Sequence, residues 1–182
     1  MREKPEFLKS CYGLDTVSET REFYNQWADS YDEEIAQNGY ETPRRCANAL
    51  AKMVKDLSAP VLDVGCGTGL SGLALHEAGF TTIDGCDLSP EMLLRAEKRK
   101  GLYRKLWLSD VNQPFDLAIG PYQNIVATGV VASGHAPAAT IDNVLKILPK
   151  GGCFVLSLND HTLKDPGFEA RIAENIDTGN AV

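Results

Sequence analysis

Two aspartates and a run of alternating glycines are the residues in this chain whose types and spacing could do chemistry. Asp63 stands just before Gly65, Gly67 and Gly69, and Asp87 closes the next apolar run. A glycine turn that opens a helix lets a ligand lie against bare backbone, because no Cβ stands in the way. An aspartate at a strand tip can accept both hydroxyls of a ribose, a bidentate task that suits a carboxylate. The combination points to a nucleoside-containing cofactor.

Two such cofactors compete. Gly67-Thr68-Gly69-Leu70-Ser71-Gly72 is literally G-x-G-x-x-G, and Asp87 follows at the distance a dinucleotide fingerprint asks. In that fingerprint the first glycine directly follows the strand, and here Gly65 holds that place. Counted from Gly65, the third glycine position is occupied by Leu70. Asp63 discriminates further. A carboxylate near the end of the first strand would repel a pyrophosphate and would suit an ammonium group. S-adenosyl-L-methionine has an amino-acid end, a sulfonium and no phosphate, and is the expected ligand. A plainer reading stays open, in which the glycines only form a tight turn and the two aspartates cap it.

The elements that must position these residues are local and regular. Val61-Leu62-Asp63-Val64 is too short for a helix and is bounded by glycine, so it reads as a buried strand. Leu70, Leu73, Ala74 and Ala78 recur at helical spacing until Gly79 stops the helix. Thr81 to Cys86 forms a second strand ending on Asp87. The unit is strand, glycine turn, helix, strand, with an acid at each strand tip.

Asp63-Val64-Gly65-Cys66-Gly67-Thr68-Gly69, extended by Asp87-Leu88-Ser89-Pro90-Glu91-Met92-Leu93, resembles the class I S-adenosylmethionine-dependent methyltransferases. Gly79-Phe80 through Pro90, then Arg99-Lys100-Gly101-Leu102-Tyr103, is most similar to the methyltransferase-like proteins of the Williams–Beuren region. The resemblance covers roughly residues 20 to 160. It implies an α/β fold, a Rossmann-like doubly wound sheet of strand order 3-2-1-4-5. The cofactor would then lie beyond the carboxyl ends of the strands, at the switch between the first and fourth. It also implies a set of cofactor contacts. Asp63, Gly65, Cys66, Gly67 and Gly69 come from the turn, Asp87 takes the ribose, and Leu88 and Met92 sandwich the adenine. Asp110 accepts from the adenine amino group while the Val111 N–H reaches the ring, and Thr128 contributes from the end of the fourth strand. An N-terminal segment carrying Tyr24, Trp27 and Tyr31 closes over the cofactor. Spacing alone also allows those three aromatics, on one helical face, to be a core-facing stripe.

The rest of the chain sets bounds. At 182 residues, 43% of them apolar, it can bury one core, and a single domain is expected over 1–182. Within it, residues 1–17 form a surface arm, 18–58 the N-terminal helices, 60–158 the cofactor-binding core and 159–182 a C-terminal helix. A net charge of −7 argues against a nucleic-acid partner, and no Asp-Pro-Pro-Tyr-like motif for base amino groups is present. The basic cluster Lys98-Arg99-Lys100 with Arg104-Lys105 reads as a solvated helix end. Five cysteines, odd in number and without C-x-x-C, argue against a metal site and for a reduced, cytoplasmic setting. No apolar run approaches membrane-spanning length.

Taken in order, one helix is expected from Ser18 to Tyr31, then another that Thr42 caps and Pro43 opens, running to Leu57. Ser89-Pro90 repeats that start signal. A third strand covers Leu106 to Leu108. Two segments compete for the fourth, Phe115 to Ile119 and Asn124 to Ala127; the second is preferred because it puts Gly129 to His135 in a loop facing the cofactor. A helix over Thr140 to Leu148, a fifth strand over Cys153 to Leu158 and a helix over Pro166 to Ile176 complete the chain. The antiparallel hairpin that ends the family's sheet is missing, so the fifth strand is expected to mark a truncation or a dimer contact. The expected activity is in-line methyl transfer to a small-molecule acceptor; the alternatives are a cofactor-binding module without turnover and a NAD-dependent oxidoreductase. His135 is the only plausible general base among three histidines.

Overall fold

A computed structural model describes residue 14 and residues 16–116 and 121–182. Helices α1 (Val17–Trp27), α2 (Tyr31–Gln37) and α3 (Thr42–Met53) precede a strand β1 (Val61–Val64). Then follow α4 (Leu70–Glu77), β2 (Ile83–Asp87), α5 (Pro90–Glu97), β3 (Lys105–Leu108) and β4 (Asn124–Ala127). The chain continues with α6 (Thr140–Ile147), β5 (Cys153–Leu156), a 3-10 turn (Thr162–Lys164) and α7 (Pro166–Asp177). The strands form one parallel sheet in the order β3-β2-β1-β4-β5, the order that the resemblance implies.

All four residues of β1 are buried, which only a parallel strand covered on both faces requires. Leu62 and Val64 point into one apolar layer with Ile125, Ala127, Ile141 and Val144. Val61 points into the other, with Ile83, Val126, Ala47 and Leu50 of α3, and Leu75 of α4. This alternation puts Asp63 on the same face as Val61, a fact that decides its role below. Val64 is level with Cys86 on one side and with Ala127 on the other. The glycine turn, Asp87 and Thr128 therefore leave the sheet at one edge, where the order switches from β1–β2 to β1–β4.

Several expectations shift. The N-terminal helix does not run to Tyr31: it ends at Trp27, and Tyr31 opens α2. In the turn between the two helices Asp29 pairs with Arg95 and Ser30 donates to Glu34 at 2.7 Å. Thr42 is the first residue of α3 rather than its cap, and Glu41 occupies the cap position without a side-chain bond. The cap on α1 is Thr16, which with Glu19 forms a reciprocal capping box. Asn124–Ala127 is the fourth strand; Phe115 of the competing segment packs into the core, and residues 117–120 lie outside the described residues. The same holds for most of the expected arm, residues 1–13 and 15. Among the described residues, β5 pairs with β4 alone, and no helix is long and apolar enough to cross a membrane.

At the opposite, amino-terminal end of the strands lies a buried polar cluster. Asp84 is fully shielded from solvent, accepts a forked pair of bonds from Arg104 and accepts from the Tyr122 hydroxyl at 2.8 Å. Burial works against its charge, yet Arg104 and Tyr122 outweigh it and hold the carboxyl below the usual range.

Candidate functional site

The glycine turn is shaped by close approach. A Cβ on Gly65 would lie 2.2 Å from Val130 Cγ2, so the residue lets the β4–α6 loop pack over the turn. Gly67, at φ +53°, has open space where a Cβ would be, and its N–H donates to Asp87 at 2.8 Å. Gly72, the last glycine of the literal fingerprint, makes room for Tyr103: a Cβ there would lie 2.2 Å from the Tyr103 oxygen. Its smallness serves packing and not a ligand.

Above the turn is a cleft. Its floor is Gly65 and Gly67; one side carries Asp87, Leu88 and Met92, and the far end Asp110 and Val111. Thr128 and His135 close the β4 side, and Tyr24 and Tyr31 form the roof. Asp87 is held by the backbone N–H groups of Ser89 (2.9 Å) and Gly67 (2.8 Å). Burial nonetheless raises its pKa, because no cation faces it. Each oxygen keeps a lone pair for a further donor.

The roof is strapped down. Ser89 donates to Asn25 at 2.6 Å, Arg99 donates to Asp32 at 2.6 Å and to the Thr68 carbonyl at 2.8 Å, and Thr68 also donates to Asp32. Arg99, expected to be merely solvated, thus binds the N-terminal helices to the turn.

Four expected contact residues are not on the cleft wall. Trp27 lies behind it, buried, with its ring 4.6 Å from Tyr31 and 5.8 Å from Tyr24, so it props the two roof rings. Cys66 turns its thiol over Gly85 of β2, and burial pushes that thiol's pKa well up. Gly69 caps α4, and its vacant Cβ position faces Arg99. Asp63 lies under the turn, where Ser71 (2.6 Å) and Tyr103 (2.7 Å) donate to one oxygen and the other has no partner among the described residues. Full burial, with a lesser contribution from the Asp87 charge, pushes its pKa up to about 7. The sequence reading set this carboxylate near a ligand's ammonium; it lies beneath the turn and off the cleft wall.

Three wall residues escaped the sequence reading: Thr20, Asn112 and Ala136, the last just beyond the loop expected to face the cofactor. Thr20 lies one helical turn before Tyr24, a spacing that could have revealed it. Asn112 follows Asp110 in a turn that its own N–H closes on the Asp110 carboxylate at 3.0 Å. No sequence signal marks its side-chain oxygen, which is buried without a partner among the described residues.

His135 is presented by a loop that folds back on itself through bonds between Ala132 and Ala136. Its Nδ1 lies 3.4 Å from the Ser133 carbonyl and its Nε2 lies 2.6 Å from the Tyr24 hydroxyl. A carbonyl can only accept, so Nδ1 carries the proton and Nε2 accepts from the phenol. Burial lowers the imidazole pKa, which keeps the ring neutral at pH 7.

A Rossmann-like sheet with a cleft at its switch point, a ribose-type carboxylate at the tip of β2 and a glycine turn beneath defines a nucleoside-cofactor-binding class. A methyltransferase-domain family model matches residues 31–175, and the chain belongs to that family. It is 31% identical over 162 residues to human methyltransferase-like protein 27, covering 86% of this chain and 65% of the relative. With the ribosomal protein L11 methyltransferase of Clostridium botulinum (strain Eklund 17B / Type B) it shares 32% identity over 118 residues, 65% of this chain and 37% of the other. It is also similar to a putative methyltransferase solved in complex with the Haloferax volcanii Trm112 methyltransferase activator. There the TM-score is 0.60 and the identity 25%, over 73% of this chain and 58% of that one. The chain thus spans just under two thirds of its human relative's length.

The cofactor of this class is S-adenosyl-L-methionine, and the cleft fits it. Among the described residues the wall carries Asp87 and Asp110 but neither lysine nor arginine. A diphosphate would find no countercharge there, whereas a cationic sulfonium nucleoside meets carboxylates and aromatic faces.

Proposed function

We propose that this chain binds S-adenosyl-L-methionine in the cleft and transfers its methyl group to a small-molecule acceptor. The observation that carries the reading is the cation-free, carboxylate-bearing wall at the β1/β4 switch, roofed by Tyr24 and Tyr31. Asp87 receives the ribose hydroxyls, Leu88 and Met92 flank the adenine, and Asp110 with the Val111 N–H reads the adenine edge. The backbone of Gly65 and Gly67 receives the amino-acid end, and Asp63 supplies negative potential from below. When bound, the cofactor supplies a methyl carbon on a good leaving group. The chain's own contribution is to orient the reactants and keep water out, and the strapped aromatic roof does both.

A small acceptor is supported by charge. The net charge is −7, and Arg95, Arg99 and Arg104 are each engaged with an aspartate. An excess of negative charge works against tracking a phosphate backbone. Titration calorimetry tests the cofactor assignment. S-adenosyl-L-methionine and its demethylated product are expected to bind with Kd on the order of micromolar, and NAD not at all. Binding of NAD alone would reverse the assignment.

A further inference from the structure

We propose that Tyr24 and His135 form a proton-accepting pair for the methyl acceptor, which makes that acceptor a protic nucleophile: an alcohol, a phenol or an amine. The proposal rests on the methyl-transfer reading above and deepens it.

The first observation is a junction. A second cavity, of about 490 Å³, opens beside the cleft between α1, the β4–α6 loop and the start of α7. Three residues, Thr20, Asn112 and His135, line both spaces. A methyl group leaving the cleft for a molecule in the second cavity would cross between them. His135 is the one titratable side chain of the three.

The second observation is the orientation of the pair. The Ser133 carbonyl fixes the proton on Nδ1, so Nε2 presents its lone pair to the Tyr24 hydroxyl at 2.6 Å. A phenol held in this way can receive a proton while passing its own to the imidazole. The third is the unpartnered Asn112 oxygen at the junction, a buried acceptor suited to an O–H or N–H of the incoming molecule. Electrostatics agree. Neither wall carries lysine or arginine among the described residues, while Asp87 and Asp110 of the cleft and Asp165 of the second cavity favour a new positive charge on the ring. Burial keeps the ring neutral, and so able to accept, before reaction.

The step balances. The acceptor's lone pair bonds to the methyl carbon as the carbon–sulfur bond breaks, with that bonding pair staying on sulfur. The acceptor's proton goes to the Tyr24 oxygen as the phenol's proton goes to His135 Nε2, leaving an imidazolium whose Nδ1–H remains on Ser133. An amine that arrives protonated gives its extra proton to the same pair before it attacks; the pair is then full, and the product leaves as the methylated ammonium. A thioether or tertiary amine has no proton to give and no use for the pair.

The test uses the full chain, wild type and His135→Gln; glutamine can still accept the Tyr24 hydrogen bond but cannot take a proton. Calorimetric binding of the demethylated product is measured first, as the check on fold and cofactor site. Phenol, catechol, ethanolamine and tyramine, with dimethyl sulfide and trimethylamine as aprotic controls, are then assayed for release of demethylated product. The His135 ring is followed by NMR in protein loaded with demethylated product. The expected result is turnover with a protic compound, lost about 100-fold or more in kcat in His135→Gln with product affinity changed less than about twofold. Wild-type kcat should fall below the His135 pKa read by NMR, itself under about 6.5, and the active compound should shift the ring signal saturably. Wild-type kcat in His135→Gln, turnover confined to the aprotic controls, or no turnover and no ring shift with any protic compound would overturn the pair's role. Failure of the demethylated product to bind the wild type would instead overturn the methyl-transfer reading.

Discussion

Strand β2 carries a carboxylate near each end, and the two are held in opposite ways. Asp84, at the amino-terminal end, spends its lone pairs on Arg104 and Tyr122 and is kept charged by them. Asp87, at the carboxyl end, is held by backbone N–H groups alone, with no cation beside it and a raised pKa. One end of the sheet is closed on itself and the other keeps unspent acceptor capacity facing a cleft. A buried carboxylate satisfied entirely by its own protein stabilises the fold; one left partly unsatisfied at a switch point is ready for a ligand. Asp63 is intermediate, with one oxygen satisfied and one without a partner.

That contrast can be broken at each of the three acids. The largest effect is expected at Asp63. Its folded-state pKa of about 7 lies above the unfolded value, so the folded chain holds its proton longer. The sign is therefore that of a destabilising carboxylate: wild-type stability falls as pH rises from about 4 to 7 and levels off above. Asp63→Asn lacks this titration, so its stability relative to wild type should improve by up to about 4 kcal/mol across that range. Denaturant unfolding at pH 4.5 and 8 measures it, and a difference that does not change with pH would contradict the assignment. Next comes Arg104→Ala, which leaves the Asp84 charge buried with only Tyr122. Since Arg104 is itself half exposed, a loss of about 2–3 kcal/mol in unfolding free energy is expected. Cofactor affinity should stay within about twofold, because the cluster lies at the far end of the sheet; a large loss of affinity with little change in stability would show the two ends to be coupled.

The sequence revealed local features and missed what the third dimension brings together. The strand–turn–helix–strand unit follows from runs of neighbouring residues, whereas the sheet order came from the family resemblance. Asp87 and Leu88 at a strand tip and Met92 in the first turn of the helix that follows are neighbours in sequence, and all three reach the cleft. The place of Asp63 was readable: it shares the parity of Val61, and so faces Ser71 and Tyr103 under the turn. The repulsion first attributed to that one residue belongs to the whole wall. Trp27 followed the aromatic spacing of Tyr24 and Tyr31 but lies buried behind them, at the end of a helix that stops there. The Tyr24–His135 bond joins residues 111 positions apart, and no local pattern announces it.

The most direct measurement is calorimetric binding of the demethylated cofactor to wild type and Asp87→Ala, beside their unfolding curves. Removal of the ribose acceptor is expected to weaken binding by about 1.5–3 kcal/mol and to lower stability by about 1 kcal/mol, the loss of two backbone hydrogen bonds. Unchanged affinity, with the cost appearing in stability alone, would mean that Asp87 merely caps its turn and that the cleft holds its ligand by other groups.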